Sequence, residues 1–227
     1  MKSALNYPGL DSQPDQGQSS GVLFQYLKRF LRAQFGRPTG LCGYLAGMLM
    51  ARTPSNLDRI RWTLSLLDVR PNHRILEIGF GPGIAIQLLS KVVADGSIVG
   101  IDHSEVMLEQ ARKRNARAVR NGRVSLHLGS VLTVPPFPES FDRIFTINSI
   151  HFWDKPVDCL KTLHTWLRPG GLIAVTVQPR SRNATDATAR VMGNELAANL
   201  ERAGFSQCRL EIRQAKPVAV ACALGTK

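Results

Sequence analysis

From Arg74 onward, short apolar runs alternate with stretches of helical periodicity, and that alternation leaves few architectures open to the chain. The runs RILEIG, SIVGID, RVSLHLG, FDRIFTINS and GLIAVTV read as strands, with helices expected over residues 83–94, 104–121 and 155–168. Strand-helix alternation of this kind predicts a mostly parallel sheet with helices on both faces. Past an irregular QPRSRNATD segment, a helix over about residues 186–203 leads to QCRLEIRQ and KPVAVACALG. Those two runs lie too close together for a crossover helix, so they are expected to pair antiparallel and end the sheet in a hairpin.

A chain of 227 residues, 44% of them hydrophobic, is long enough for one well-buried domain with an appendage. Residues 1–20 are polar and rich in Gln, Ser, Pro and Gly, which predicts a disordered leader instead of a signal peptide. Residues 21–70 are expected to form a helical cap over a main domain of residues 71–227. In the cap, Leu23, Tyr26, Leu27, Phe30 and Leu31 fall at helical spacing among Lys28, Arg29 and Arg32, and Pro38 closes that helix. The glycine-spaced TGLCGYLAGMLMAR, containing Tyr44, reads as a mobile cover, and NLDRIRWTLSLLDVRPNH as an amphipathic helix ending before Pro71.

The first strand runs into EIGFGPG, three glycines and a proline at the carboxyl end of a strand, where open α/β sheets bind their ligands. A dinucleotide fingerprint requires G-x-G-x-x-G, whereas Gly79, Gly81 and Gly83 give G-x-G-x-G. A phosphate loop requires Lys followed by Ser or Thr, and GPGIAIQ offers neither. What remains is Glu77, an acid just before the turn, which suits a ligand bearing an ammonium group better than one bearing a pyrophosphate.

E-x-G-x-G-x-G after a strand resembles the first motif of class I S-adenosylmethionine (SAM)-dependent methyltransferases of the small-molecule type, and the likeness runs from about Arg74 to the terminal hairpin. The resemblance implies an α/β, Rossmann-like, doubly wound sheet of seven strands in the order 3-2-1-4-5-7-6, the last antiparallel, under an N-terminal helical cover. It also implies SAM as donor, S-adenosyl-L-homocysteine (SAH) as product, and Gly79, Phe80, Gly81 and Gly83 beside the donor. Asp102 closes the second strand at about the separation where an acid meets ribose hydroxyls in doubly wound folds. The family's matching acid binds both hydroxyls of the SAM ribose. In HSEVML, Ser104 is expected to cap a helix, Met107 to lie against the adenine and His103 to border the same ring. Where the family commonly has Gly-Asp after the third strand, this chain has LGSVLTVP. Ser130, followed by Val131, therefore makes the adenine-amine contact weaker or leaves it to the backbone. Asn148, in INSIHFW, stands where the family faces the methionine end of SAM, and LRPGGLIAV matches the turn into the fifth strand.

The acceptor side is less constrained. His151 is read first as a histidine that lines the pocket or packs a loop, with a general base as the alternative. Phe152 and Trp153 suit an aromatic wall or simple packing. Tyr26 and Tyr44 of the cap and Arg180 are expected to complete the pocket, with Arg180 and Arg182 attracting an anionic substrate. The net charge of +12 admits nucleic acid, an anionic membrane surface or an acidic small molecule as partner. The basic run from Arg112 to Arg123 reads as a solvated helix face, with RNA or anionic lipid binding as the alternative.

The expected function is methyl transfer, in line, to an oxygen or nitrogen of a small molecule, anionic or aromatic. Methylation of a phospholipid or quinone-like lipid by peripheral membrane contact, and SAM binding without transfer, stand as alternatives. An RNA substrate is disfavoured, because neither a separate RNA module nor an Asn/Asp-Pro-Pro-Tyr/Phe motif is present. Four separated cysteines without a CxxC pair, and His73, His127 and His164 scattered along the chain, predict no metal site and a cytoplasmic location.

Overall fold

The computed structural model describes residues 54–227, so the expected leader, the cap up to residue 53, and Tyr26 and Tyr44 within it lie outside the described residues. The described chain opens with α1 (Pro54–Leu66), Pro54 standing at a helix start where its missing N–H is no loss. Then follow β1 (Arg74–Ile78), α2 (Ile84–Leu89), β2 (Ser97–Asp102), α3 (Glu105–Arg114), α4 (Ala116–Arg120), β3 (Val124–Leu128) and β4 (Phe141–Ile147). A short 3₁₀ turn over Ile150–Phe152 leads to α5 (Pro156–Trp166), β5 (Leu167–Val177), α6 (Asp186–Arg202), β6 (Ser206–Arg213) and β7 (Val220–Thr226).

The seven strands form one sheet in the order β3-β2-β1-β4-β5-β7-β6, as expected. All pairings are parallel except those of β7, which runs antiparallel to both β5 and β6. Central strands are apolar on both sides because alternate side chains enter different cores. Leu76 and Ile78 join Ile144, Val175, Leu160 and Leu200 on the α5–α6 side. Ile75 joins Ile98, Phe145, Ile86 and Met107 on the side carrying α1 to α3. Each such side chain, removed from water, contributes roughly 1.5–3 kcal/mol.

Three expected boundaries are corrected. The helix read over 104–121 is two helices, because the buried Asn115 leaves helical geometry and its amide donates to the Ala111 and Gly83 carbonyls at 2.9 and 3.0 Å. Two arginines of that basic run also turn inward: Arg114 Nε donates to the Pro82 carbonyl and Arg123 Nη1 reaches those of Ser90 and Val93. The helix read over 83–94 ends at Leu89, where Ser90 Oγ caps back onto the Gln87 carbonyl. Finally, β7 begins at Val220 and not at Lys216. The Lys216 and Val218 carbonyls accept from Gln178 Nε2, and Ala219 N–H donates to Asp186, so these groups are taken before the ladder starts.

Helix α1 is docked on the sheet by polar contacts that fix its register. Fully buried Thr63 and Thr176 bond through their hydroxyls at 2.9 Å, and Arg143 Nε donates to the Leu67 carbonyl below the helix end. One turn up from Thr63, this brings Arg59 onto Gln178, just past the carboxyl end of β5. Among the described residues no helix is long and apolar enough to cross a membrane, and no His/Cys/Asp/Glu group is placed to hold a metal ion.

Candidate active site

The strand alternation that puts Ile75 in the α1–α3 core also turns Glu77 to that side, where it is 4% exposed. The chain then leaves β1 through Gly79, whose N–H donates to the Ile101 carbonyl at 2.7 Å. Gly79 has φ +74°, and a Cβ there would lie 2.4 Å from the Ser149 Cβ, so both its conformation and its surroundings require glycine. Outside the loop, Asn115 and Arg114 hold the Gly83 and Pro82 carbonyls. Inside it, Gly81 N–H donates to Asp102 Oδ2 at 2.8 Å, while Ser104 N–H donates to Oδ1 at 3.0 Å. Ser104 Oγ accepts from Met107 N–H and caps α3, as its position predicts.

These elements enclose a cleft of about 660 Å³ at the carboxyl ends of β1, β2 and β4. That is ample for a small ligand. Of the residues singled out from sequence, Glu77, Gly79, Phe80, Gly81, Asp102, His103, Met107, Ser130, Val131, Asn148, Phe152, Trp153 and Arg180 line it together. Gly83 instead caps α2 at φ +75° behind the loop. Ser130 Oγ lies 3.1 Å from Thr133 Oγ1, engaged in its own turn.

His151 is the residue the structure places elsewhere. The 3₁₀ turn sends it to a separate hollow of about 250 Å³ beside Glu195 and Asn199, away from the cleft that its neighbour Phe152 lines. Its pKa is lowered by burial and by Arg180, with Glu195 opposing. The other scattered histidines pack: His127 meets Phe137 edge-on and His164 meets Phe205.

The cleft also contains residues that sequence reasoning passed over, notably Asn56 and Arg59 of α1, Ser149, Leu132 and Cys159. Arg59 is buried, bonded through Nη1 to Gln178 Oε1 and through Nη2 to Asn56 Oδ1. Burial, with Arg180 adding, lowers its pKa to about 10, so it remains a cation at neutral pH. Neither Arg59 nor Arg180 meets a carboxylate among the described residues. Arg180 stays exposed at the rim, although the protein around it desolvates it enough to lower its pKa.

The cleft is therefore electrically mixed. Its lining brings together two buried acids, Glu77 and Asp102, and two arginines, Arg59 and Arg180, without acidic partners among the described residues. Burial first, and Asp102 second, raise the Glu77 pKa well above the carboxylate range, while Asp102 is raised by burial against the pull of its N–H donors. A raised folded pKa means that Glu77 holds its proton more tightly in the folded chain than in the unfolded one. Its contribution to stability is full below the unfolded pKa and is lost as pH rises through the folded one. A bound ammonium group favours the ionised form, so a cationic ligand expels a proton in the window between the free and bound pKa values. Ligand affinity should rise with pH across that window. Calorimetry in buffers of different ionisation enthalpy should show proton release on binding, and Glu77→Gln should abolish it; release that persists in the variant refutes this role.

A methyltransferase-domain family model matches residues 75–171. A relative from Bacillus subtilis (strain 168), named as the uncharacterized methyltransferase YdaC, is 33% identical over 183 residues, covering 81% of this chain and 98% of the relative. The fold is similar to that of a SAM-dependent methyltransferase from Aquifex aeolicus, with TM-score 0.62 and 21% identity over 76% of this chain and 93% of that one. It is also similar to the N-methyltransferase NodS from Bradyrhizobium japonicum WM9 in complex with SAH, with TM-score 0.62 and 18% identity over 78% of this chain and 90% of that one.

Proposed function

The chain belongs to the class I SAM-dependent methyltransferases, and on that premise we propose that it transfers a methyl group from SAM to an oxygen or nitrogen of a small acceptor with an anionic group and an apolar or aromatic body. The observation that carries the reading is the pair of buried acids, Glu77 and Asp102, on neighbouring strands with the glycine loop folded between them. In this reading Asp102 accepts the ribose hydroxyls, and Glu77 meets the α-ammonium of the methionine end. Phe80, Met107 and Val131 give the adenine an apolar bed, and His103 borders it. With the Ser130 hydroxyl turned to Thr133, the adenine amine on that side falls to backbone groups.

SAM supplies a methyl group already activated on a sulfonium, so the protein's work is alignment and exclusion of water. Gly79 and Gly81 let the backbone come close to the donor, and Asn148 stands at its methionine end. Phe152, Trp153 and Leu132 offer apolar surface to the acceptor, Phe152 and Leu132 each being 50% exposed. Arg180, at the rim of a chain with net charge +12, attracts the acceptor's anion. Cys159, its pKa pushed up to about 11 chiefly by burial, remains a thiol and serves as wall.

The test incubates the protein with methyl-labelled SAM and hydroxy- or amino-substituted aromatic acids, beside their neutral amides. SAH should appear only with an acceptor, and faster with the acids. Arg180→Met should raise KM for the acids by roughly tenfold with little change in kcat, the loss of one charge-assisted contact. SAH formation no higher than without acceptor, across the panel, would leave a donor-binding protein and sink the transfer reading.

A further inference from the structure

We propose that Arg59 and Asn148, both oriented by Gln178, form the receptor for the donor's carboxylate, so that the cleft reads the whole amino-acid end of SAM; this rests on the donor reading above. Three cleft-lining residues each hold a buried side-chain atom with no hydrogen-bond partner among the described residues. One is an acceptor on an acid, Glu77 Oε2. The other two are donors, Arg59 Nε and Asn148 Nδ2. Buried polar atoms are rarely left without partners, and such a set in one cleft outlines the ligand that satisfies it. An acidic acceptor in the same cleft as a cationic donor and a neutral donor complements an α-ammonium beside an α-carboxylate.

The polarity of this set is fixed by Gln178. Its Nε2 donates to the Lys216 and Val218 carbonyls at 3.3 and 2.7 Å, so its amide oxygen must face the other way, toward Arg59 Nη1. Its backbone N–H donates to Asn148 Oδ1 at 2.7 Å, which consumes the oxygen of that amide and leaves the NH₂. Asn148 holds φ +56°, a conformation Asn and Asp tolerate better than most residues. Among the described residues the Arg59 guanidinium is bonded only to neutral oxygens, of Asn56 and Gln178, so its charge stays uncompensated there and calls for an anion. Arg180, exposed at the rim, is then left for the acceptor.

The discriminating probe is decarboxylated SAH, which keeps the adenosine, the thioether and the amine but lacks the carboxylate. By calorimetry, the wild-type chain should bind SAH about 10- to 100-fold more tightly than this analogue, the effect of one or two charge-assisted bonds. Arg59→Met and Asn148→Asp should each bring the ratio to within about threefold by weakening SAH alone. Asn148→Asp is nearly isosteric, still accepts from Gln178 N–H and tolerates the positive φ, so it tests the proposal even where Arg59→Met unfolds the chain. Gln178→Leu should lower the same ratio, which a merely structural role leaves unchanged. A wild-type chain that binds both ligands equally, or variants that weaken both alike, would overturn this proposal and leave the donor reading standing. A wild-type chain that binds neither overturns both.

Discussion

Asp102→Ala is expected to weaken SAM and SAH binding by about 100- to 10,000-fold while the fold survives. The carboxylate accepts backbone N–H groups, Oδ2 from Gly81 and Oδ1 from Ser104, and lines the cleft where ribose hydroxyls would add to them. Two charge-assisted bonds at roughly 1.5–3 kcal/mol each account for that range. A further loss follows because the glycine loop is released from its inner clip. The fold survives because burial disfavours the Asp102 carboxylate, so deleting the charge removes a cost along with its bonds. Asp102→Asn should lose most of the affinity as well, since its NH₂ has to face either the Gly81 or the Ser104 N–H. Calorimetry with SAH, beside a thermal melt, measures both halves. Affinity within threefold of wild type in the Ala variant would remove Asp102 from the donor site.

The sheet was legible because its central strands, buried on both faces, must be continuous apolar runs, and RILEIG and SIVGID leave no alternative face to expose. The acids and the loop were legible for a local reason: strand end, turn and helix start are consecutive in the chain, so their spacing survives folding. What was not legible depended on how the chain packs. Nothing around Asn115 announces a helix break, because its amide is paid for by the Gly83 carbonyl across 32 residues. His151 and Phe152 are adjacent, and only the 3₁₀ turn decides which of them faces the cleft. Arg59 stands in the amphipathic run NLDRIRWTLSLLDVRPNH without being singled out by it. The signal was there in part: Ile60, Thr63 and Leu67 form the buried stripe, and Arg59 and Thr63, four apart, put a charge at its edge. Only the docking of Thr63 on Thr176 and the placement of Gln178 reveal what that charge faces.

Gly79→Ala is expected to destabilise the chain by about 2–4 kcal/mol, and Gly81→Ala by only about 1 kcal/mol, although both glycines have positive φ. The left-handed backbone is the shared part, costing an alanine about 1 kcal/mol. The difference is room. At Gly79 the new methyl lies 2.4 Å from Ser149 Cβ and 2.7 Å from its Oγ, and Ser149 has no slack to give, because Oγ is bonded to the Ile78 carbonyl and to Thr146. Moving it pulls the ends of β1 and β4 apart at the point where the cleft begins. At Gly81 nothing among the described residues lies within 4 Å of the methyl, which therefore projects into open space in a residue that lines the cleft. Gly81→Ala should thus unfold near the wild-type temperature yet bind SAH at least tenfold more weakly, since one methyl group occupies ligand space. Gly79→Ala should melt several degrees lower, at about 2–4 °C per kcal/mol for a domain of this size. Urea unfolding and SAH calorimetry on the two variants separate a glycine that holds the loop's shape from one that admits the donor. Equal stability losses would remove the steric distinction drawn at Ser149, and an unimpaired Gly81→Ala would mean that the loop does not approach the donor where Gly81 stands.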